Sequence, residues 1–109
     1  MVNHFTITIA ATGTPQRLST GLSAVVGTPR SGDLLRWLSV QAGGANAGIG
    51  YVGGNQRTVS TSDYGYRIEI PTTTIPDAPT VIECASLGSI DDFFIVGTIN
   101  DTFKILAIT

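Results

Sequence analysis

Short runs in which apolar and polar residues alternate with a period of two, each broken by glycine, proline or asparagine, recur along the whole chain. In His4-Phe5-Thr6-Ile7-Thr8-Ile9 the residues Phe5, Ile7 and Ile9 fall on one side and His4, Thr6 and Thr8 on the other. That is the pattern of a half-buried strand. Tyr64 to Ile70 repeats it, with Tyr66, Ile68 and Ile70 set against Gly65, Arg67 and Glu69 until Pro71 ends the run. In Leu34 to Ala42, Leu38, Val40 and Ala42 alternate with Trp37, Ser39 and Gln41. Helical spacing can be drawn through Leu34, Leu35 and Leu38, but Gly43-Gly44 stops the segment at once, and a central strand is the reading preferred here.

Gly48 to Val52 and Arg57 to Thr61 read as two extended pieces joined in a tight hairpin by Gly53-Gly54-Asn55-Gln56. Thr80 to Ala85, Phe93 to Thr98 and Thr102 to Ile108 are rich in β-branched and aromatic residues. Between the runs lie Thr12-Gly13-Thr14-Pro15, the loop Gly27 to Asp33 and a Thr- and Pro-rich loop from Pro71 to Pro79. Seven or eight short strands without a convincing helix predict an all-β, single-domain antiparallel β-sandwich over residues 1–109, jelly-roll-like or a small barrel.

Composition bears on what such a domain does. The hydrophobic fraction of 42% is ordinary, but the charged fraction of 13% is about half the usual ~25%. A domain of 109 residues has much surface for its volume, so Thr, Ser, Gly, Asn and Gln must cover it together with some apolar residues. With a mean hydropathy of +0.27, this implies that neighbours cover part of the surface. A net charge of −2 and a single lysine, Lys104, argue against nucleic acid, whose phosphates call for clustered Lys and Arg. No stretch of about 18 apolar residues suggests a membrane span, and Met1 to Phe5 does not read as a secretory signal. The lone Cys84 leaves no partner for an intrachain disulfide and reads as a small buried strand residue.

Five features invite a chemical reading. Gly48-Ile49-Gly50-Tyr51-Val52-Gly53 has the G-x-G-x-x-G spacing of dinucleotide-binding loops, but the helix that must follow is replaced by a turn and β-branched residues. Its glycines are expected to permit close approach of another chain segment. Asp91-Asp92 could serve as an acid pair, yet it immediately precedes Phe93-Phe94-Ile95-Val96 and reads as a turn at a strand entry. Asn100-Asp101-Thr102 fits a glycosylation sequon and is likewise read as a turn. His4 is the only histidine and is expected to face solvent or an interface, so neither an imidazole metal cluster nor a histidine-based triad can be assembled. Trp37, Tyr51, Tyr64 and Tyr66 could line a sugar-binding surface or pack against a neighbouring subunit. No catalytic, cofactor-binding or metal-ligating residue is assigned, no cofactor is expected, and an enzyme is not.

The segment Asn46-Ala47-Gly48-Ile49-Gly50-Tyr51-Val52-Gly53-Gly54, then Val59 to Tyr66 and Ile68-Glu69-Ile70-Pro71, resembles a group of small tailed-bacteriophage virion proteins. Phe5 to Thr8 with Gln16 to Ser19 at one end, and Phe93 to Thr98 with Phe103 to Leu106 at the other, extend the similarity over most of the chain. Pro71-Thr72-Thr73 stands where that group has Pro-Gly. The resemblance implies a β-sandwich capsid decoration (cement) protein, a structural protein of the virion. Such a protein is made in the host cytoplasm and located on the capsid surface, where it clamps neighbouring copies of the major capsid protein. It also implies a homo-oligomer, for instance a trimer, with neither nucleic acid nor membrane as partner. A tail, neck or baseplate component, and a carbohydrate- or receptor-binding module, are the other readings. Loops Ala10 to Pro15, Gly27 to Asp33 and Pro71 to Pro79 are the expected places of partner contact.

Overall fold

A computed structural model describes residues 2–21, 35–54, 58–70, 80–83 and 88–108. The alternation at the chain's beginning becomes β1 (Val2–Thr8), which lies antiparallel to β8 (Thr102–Ile108) with Phe5 opposite Ile105 and Ile7 opposite Phe103. On its other side β8 pairs with β3 (Trp37–Ala42), and β3 pairs with β6 (Thr80–Glu83). This sheet runs β1-β8-β3-β6, so β3 is an inner strand, as the uninterrupted Leu38-Val40-Ala42 series requires. The second sheet runs β2 (Gln16–Arg17), β7 (Phe94–Val96), β4 (Gly50–Gly53), β5 (Tyr66–Ile68). All pairings are antiparallel.

The pairings are nested. First meets eighth, second meets seventh, third meets sixth and fourth meets fifth. The β3–β8 and β4–β7 contacts then roll this long folded ribbon into two four-stranded layers. That is the connectivity of a jelly roll, so the chain is an all-β sandwich rather than a closed barrel.

The layers meet through residues that share the inner side of each register. Phe5, Ile105 and Val40 lie side by side across three strands, and Ile7, Phe103 and Ala42 form the next row. From the other sheet come Val52, Ile95 and Ile68, and Leu18 and Ile90 enter from two short 3-10 turns, Leu18–Gly21 and Ile90–Asp92. Phe103, Leu38, Val40 and Ile95 are fully buried. Each such side chain removes roughly 1.5–3 kcal/mol worth of apolar surface from water, and these contacts are what hold the sheets together.

Several sequence expectations need correction. Of the strand expected over Arg57 to Thr61, the described residues 58–61 lie outside any strand, and β4 pairs instead with β5 and β7. The reason is local, since the Ser60 hydroxyl accepts from the backbone N–H groups of Ser62 and Asp63 and closes a turn that competes with a ladder. Val59 is nonetheless buried, seated over Gly53, where an added Cβ would come within 2.8 Å of its Cγ2. The strand expected over Tyr64 to Ile70 is confined to Tyr66–Ile68 at a sheet edge, and that expected over Phe93 to Thr98 to Phe94–Val96. Cys84 and the loops 27–33 and 71–79 lie outside the described residues.

Candidate functional site

Three loops come together at one end of the sandwich: residues 9–15 between β1 and β2, 43–49 between β3 and β4, and 97–101 between β7 and β8. Asp101, only 5% exposed, is their centre. Its two carboxylate oxygens accept hydrogen bonds from the backbone N–H groups of Ala47 (2.8 Å) and Gly48 (2.9 Å). Beside it, the Asn46 side-chain amide donates to the Thr102 carbonyl (2.8 Å) and accepts from the Thr102 N–H (2.9 Å), a backbone-like pair made by a side chain. Asn46→Ala is expected to lower stability by about 1–2 kcal/mol with an unchanged denaturant slope in urea unfolding, since the Thr102 N–H loses its side-chain acceptor while the Thr102 carbonyl keeps only the bond from Gly43 N–H.

The loop expected to make partner contacts, Ala10 to Pro15, is tied into the same knot. Ile99 N–H donates to the Thr12 hydroxyl (2.8 Å), and Gly13 N–H donates to the Gly97 carbonyl (3.1 Å). Gly13 has φ +74°, which a residue with a side chain rarely adopts. The tip between them, Ile99-Asn100, is a turn in which Asn100 has φ +71° and Ile99 is 51% exposed. The sequon position is therefore a turn, as read from its residues, and it presents an aliphatic side chain to the outside on a firmly held loop.

The remaining chemistry-like motifs have structural roles. In the glycine series, Gly50 sits under the Phe103 ring, where a Cβ would lie 2.5 Å from Cε1, and Gly48 sits against Thr98, where a Cβ would lie 2.5 Å from the hydroxyl oxygen. The last four residues of the series, Gly50–Gly53, are themselves the strand β4 and not a loop opening a helix, so they do not have the geometry of a pyrophosphate cradle. The Asp91-Asp92 doublet forms a capping box. The Ser89 hydroxyl accepts from Asp91 N–H (3.1 Å) and the Asp92 carboxylate accepts from Ser89 N–H (2.9 Å), holding the 3-10 turn that leads into β7. Among the described residues, no three His, Cys, Asp or Glu side chains gather as a metal site would need.

The two outer faces of the sandwich differ. On the β2-β7-β4-β5 face, Tyr51 and Tyr64 form a ring pair with centroids 4.8 Å apart and planes tilted by 55°, and the Arg17 guanidinium lies over the Phe94 ring at 5.5 Å. Arg67 stands beside Tyr51 in the register and pairs with Glu69 at 2.8 Å, both about half exposed. Tyr64 and Tyr66 are 42% and 44% exposed. On the β1-β8-β3 face, His4, Thr6, Trp37, Ser39, Gln41, Lys104 and Leu106 line a groove of about 590 Å³. Trp37 lies on that outer side, opposite Leu38 as the alternation requires, and is half-buried. His4 is exposed there. Alternation placed His4, Thr6, Trp37, Ser39 and Gln41 on the side opposite the core residues, but the groove was not visible in the sequence, because it depends on β8 lying between β1 and β3.

Comparison with protein-family models, with curated proteins and with solved structures gives no match to the chain.

Proposed function

We propose that the chain is a structural protein of a bacteriophage particle, a decoration or cement protein that binds the outside of the shell and clamps neighbouring major capsid subunits, itself as a homo-oligomer. The observation that carries the reading is the outer face of the β2-β7-β4-β5 sheet. Tyr51, Tyr64 and Phe94 are clustered there with Arg17 and Arg67, and tyrosine, phenylalanine and arginine are the side chains enriched in protein interfaces. A short charged inventory in the whole chain fits the same use, because a surface that is covered needs fewer ions to stay solvated.

The scaffold suits the task. Clamping requires a rigid body that presents several modest contacts whose sum is strong through multivalency. The Asp101 and Asn46 bonds hold the loop end so that Ile99 is displayed at little entropic cost. Jelly rolls serve as viral capsid and lectin domains among other things, which supports the reading by analogy of fold alone.

The test is binding of the purified chain to undecorated shells of the phage that encodes it, together with protein quantification of whole particles. A copy number approaching that of the major shell protein is expected, and Tyr64→Ala should weaken shell binding about tenfold or more while leaving the free energy of urea unfolding within about 0.5 kcal/mol. Presence in a few copies confined to the tail would favour a tail or neck component. Absence from particles would remove the phage reading altogether.

A further inference from the structure

Among the strands that end the two sheets, β1 stands apart. β2, β5 and β6 run for 2, 3 and 4 residues, whereas β1 runs for 7, paired one-to-one with β8 and without a bulge. It has no proline, lysine or other charged group of the kind that commonly blunts an edge.

The bonds at its end show which backbone groups it offers. Ile9 N–H donates to the Asp101 carbonyl and the Ile9 carbonyl accepts from Asn100 N–H, so odd-numbered positions turn towards β8. The next strand agrees, since the Thr102 carbonyl points away from β1 and accepts from Gly43 N–H. By the alternation of an antiparallel ladder, Val2, His4, Thr6 and Thr8 direct their N–H and C=O groups outward. At Thr8 that side is already taken. The Gln16 side-chain amide donates to the Thr8 carbonyl (3.1 Å) and accepts from Ala10 N–H (3.1 Å), as a passing strand would. The 3-10 turn Leu18–Gly21 lies beside β1, yet among the described residues no backbone bond reaches the outward side of Val2, His4 or Thr6. On the same edge Phe5 is only half-buried, unlike Ile7 and Ile9 in its row.

We propose that this edge pairs with the same edge of a second copy of the chain, antiparallel about a two-fold axis at His4, so that two four-stranded sheets become one continuous sheet. Charge, register and apolar cover all favour a copy as the occupant. β1 carries no carboxylate, ammonium or guanidinium group, so nothing in it repels an identical strand. The open run from Val2 to Thr6 is centred on His4, and the register with His4 opposite His4 and Val2 opposite Thr6 pairs every open position while stopping short of Gln16. A slip of the ladder would set the occupied Thr8 opposite the copy or carry Thr6 past the paired run. Phe5 then lies opposite Asn3 of the copy and gains cover at its open side. This specifies how copies meet, which the homo-oligomer proposed above leaves open, and it rests on that part of the reading alone.

Sedimentation equilibrium of the full chain over a concentration series is expected to show a monomer–dimer equilibrium. Isotope-filtered NOE spectra of a mixed-label dimer should connect the Asn3 and Phe5 α-protons across the axis, the close pair of this register, with Cα atoms about 4.5 Å apart. Amide exchange at His4 and Thr6 should slow as concentration rises, while Phe5 and Ile7, held by β8, should not change. The deciding variants place charge on the axis, at an exposed side chain. His4→Lys and His4→Glu should each weaken the dimer about fivefold, because two like charges then face one another, and an equimolar mixture should recover it. Such recovery excludes misfolding as the cause of the loss. A monomer at every concentration, a trimer, a dimer indifferent to both variants, or no recovery on mixing would overturn the proposal. Binding to undecorated shells is scored separately, and its absence with the dimer intact would count against the shell reading and leave this contact standing.

Discussion

Asp101→Ala is expected to destabilise the chain by about 3 kcal/mol, the sum for two part-buried N–H donors that lose a charged acceptor. The backbone of Asp101 would stay as it is, because its N–H donates to the Thr98 carbonyl and its carbonyl accepts from Ile9 N–H whatever the side chain. Only the carboxylate reaches across to the loop between β3 and β4. Alanine leaves Ala47 and Gly48 with no protein partner, and asparagine does scarcely better, since one of its two termini is a donor facing a donor. Urea unfolding reads the loss, and amide exchange at residues 47 and 48 should accelerate well before global unfolding. A change below about 1 kcal/mol would mean that water replaces the carboxylate without penalty.

Gly50→Ala is expected to be nearly as damaging, at about 3 kcal/mol. An added methyl would stand 2.5 and 2.6 Å from two carbons of the Phe103 ring, which is fully buried between the sheets and has nowhere to retreat. The cause can be isolated with a double mutant. In a Phe103→Leu background the offending ring atoms are gone, so the same Gly50→Ala change should cost less than half as much. Contacting residues are coupled, and here the coupling has a defined sign. Strict additivity of the two substitutions would show that Gly50 is needed for its backbone freedom and not for the space above it.

These two sites also show how far the amino-acid order can be read. Period-two patterning assigned inner sides correctly for Phe5, Ile7, Ile9, Leu38, Val40 and Ala42, because a half-buried sheet leaves its mark residue by residue. It predicted that the glycine series admits close approach, without naming the ring that approaches. What it could not show is which strand lies beside which. Val59 looks like a strand residue by type, and is buried like one, but the Ser60 turn withdraws its backbone from any ladder. Val96 is on the outer side of β7 and yet buried beside Tyr51, an outcome of neighbours and not of alternation. Asp101 was legible only as part of a turn, since its partners are more than fifty positions away in the chain. The groove has the same origin, because it exists only where β1, β8 and β3 lie side by side.

The mirror-like order of pairing, fourth with fifth at the centre and first with eighth at the outside, bears on how the chain finds its shape. Taken alone, joining β1 to β8 would close a loop of nearly the whole polypeptide, the kind of distant meeting that slows the formation of β-rich molecules. Nesting changes the distance that has to be searched. Once β4 has met β5, each later pair begins from ends already drawn near by the pair inside it, so the entropy of closure is met in small increments as a seam running outward from the middle.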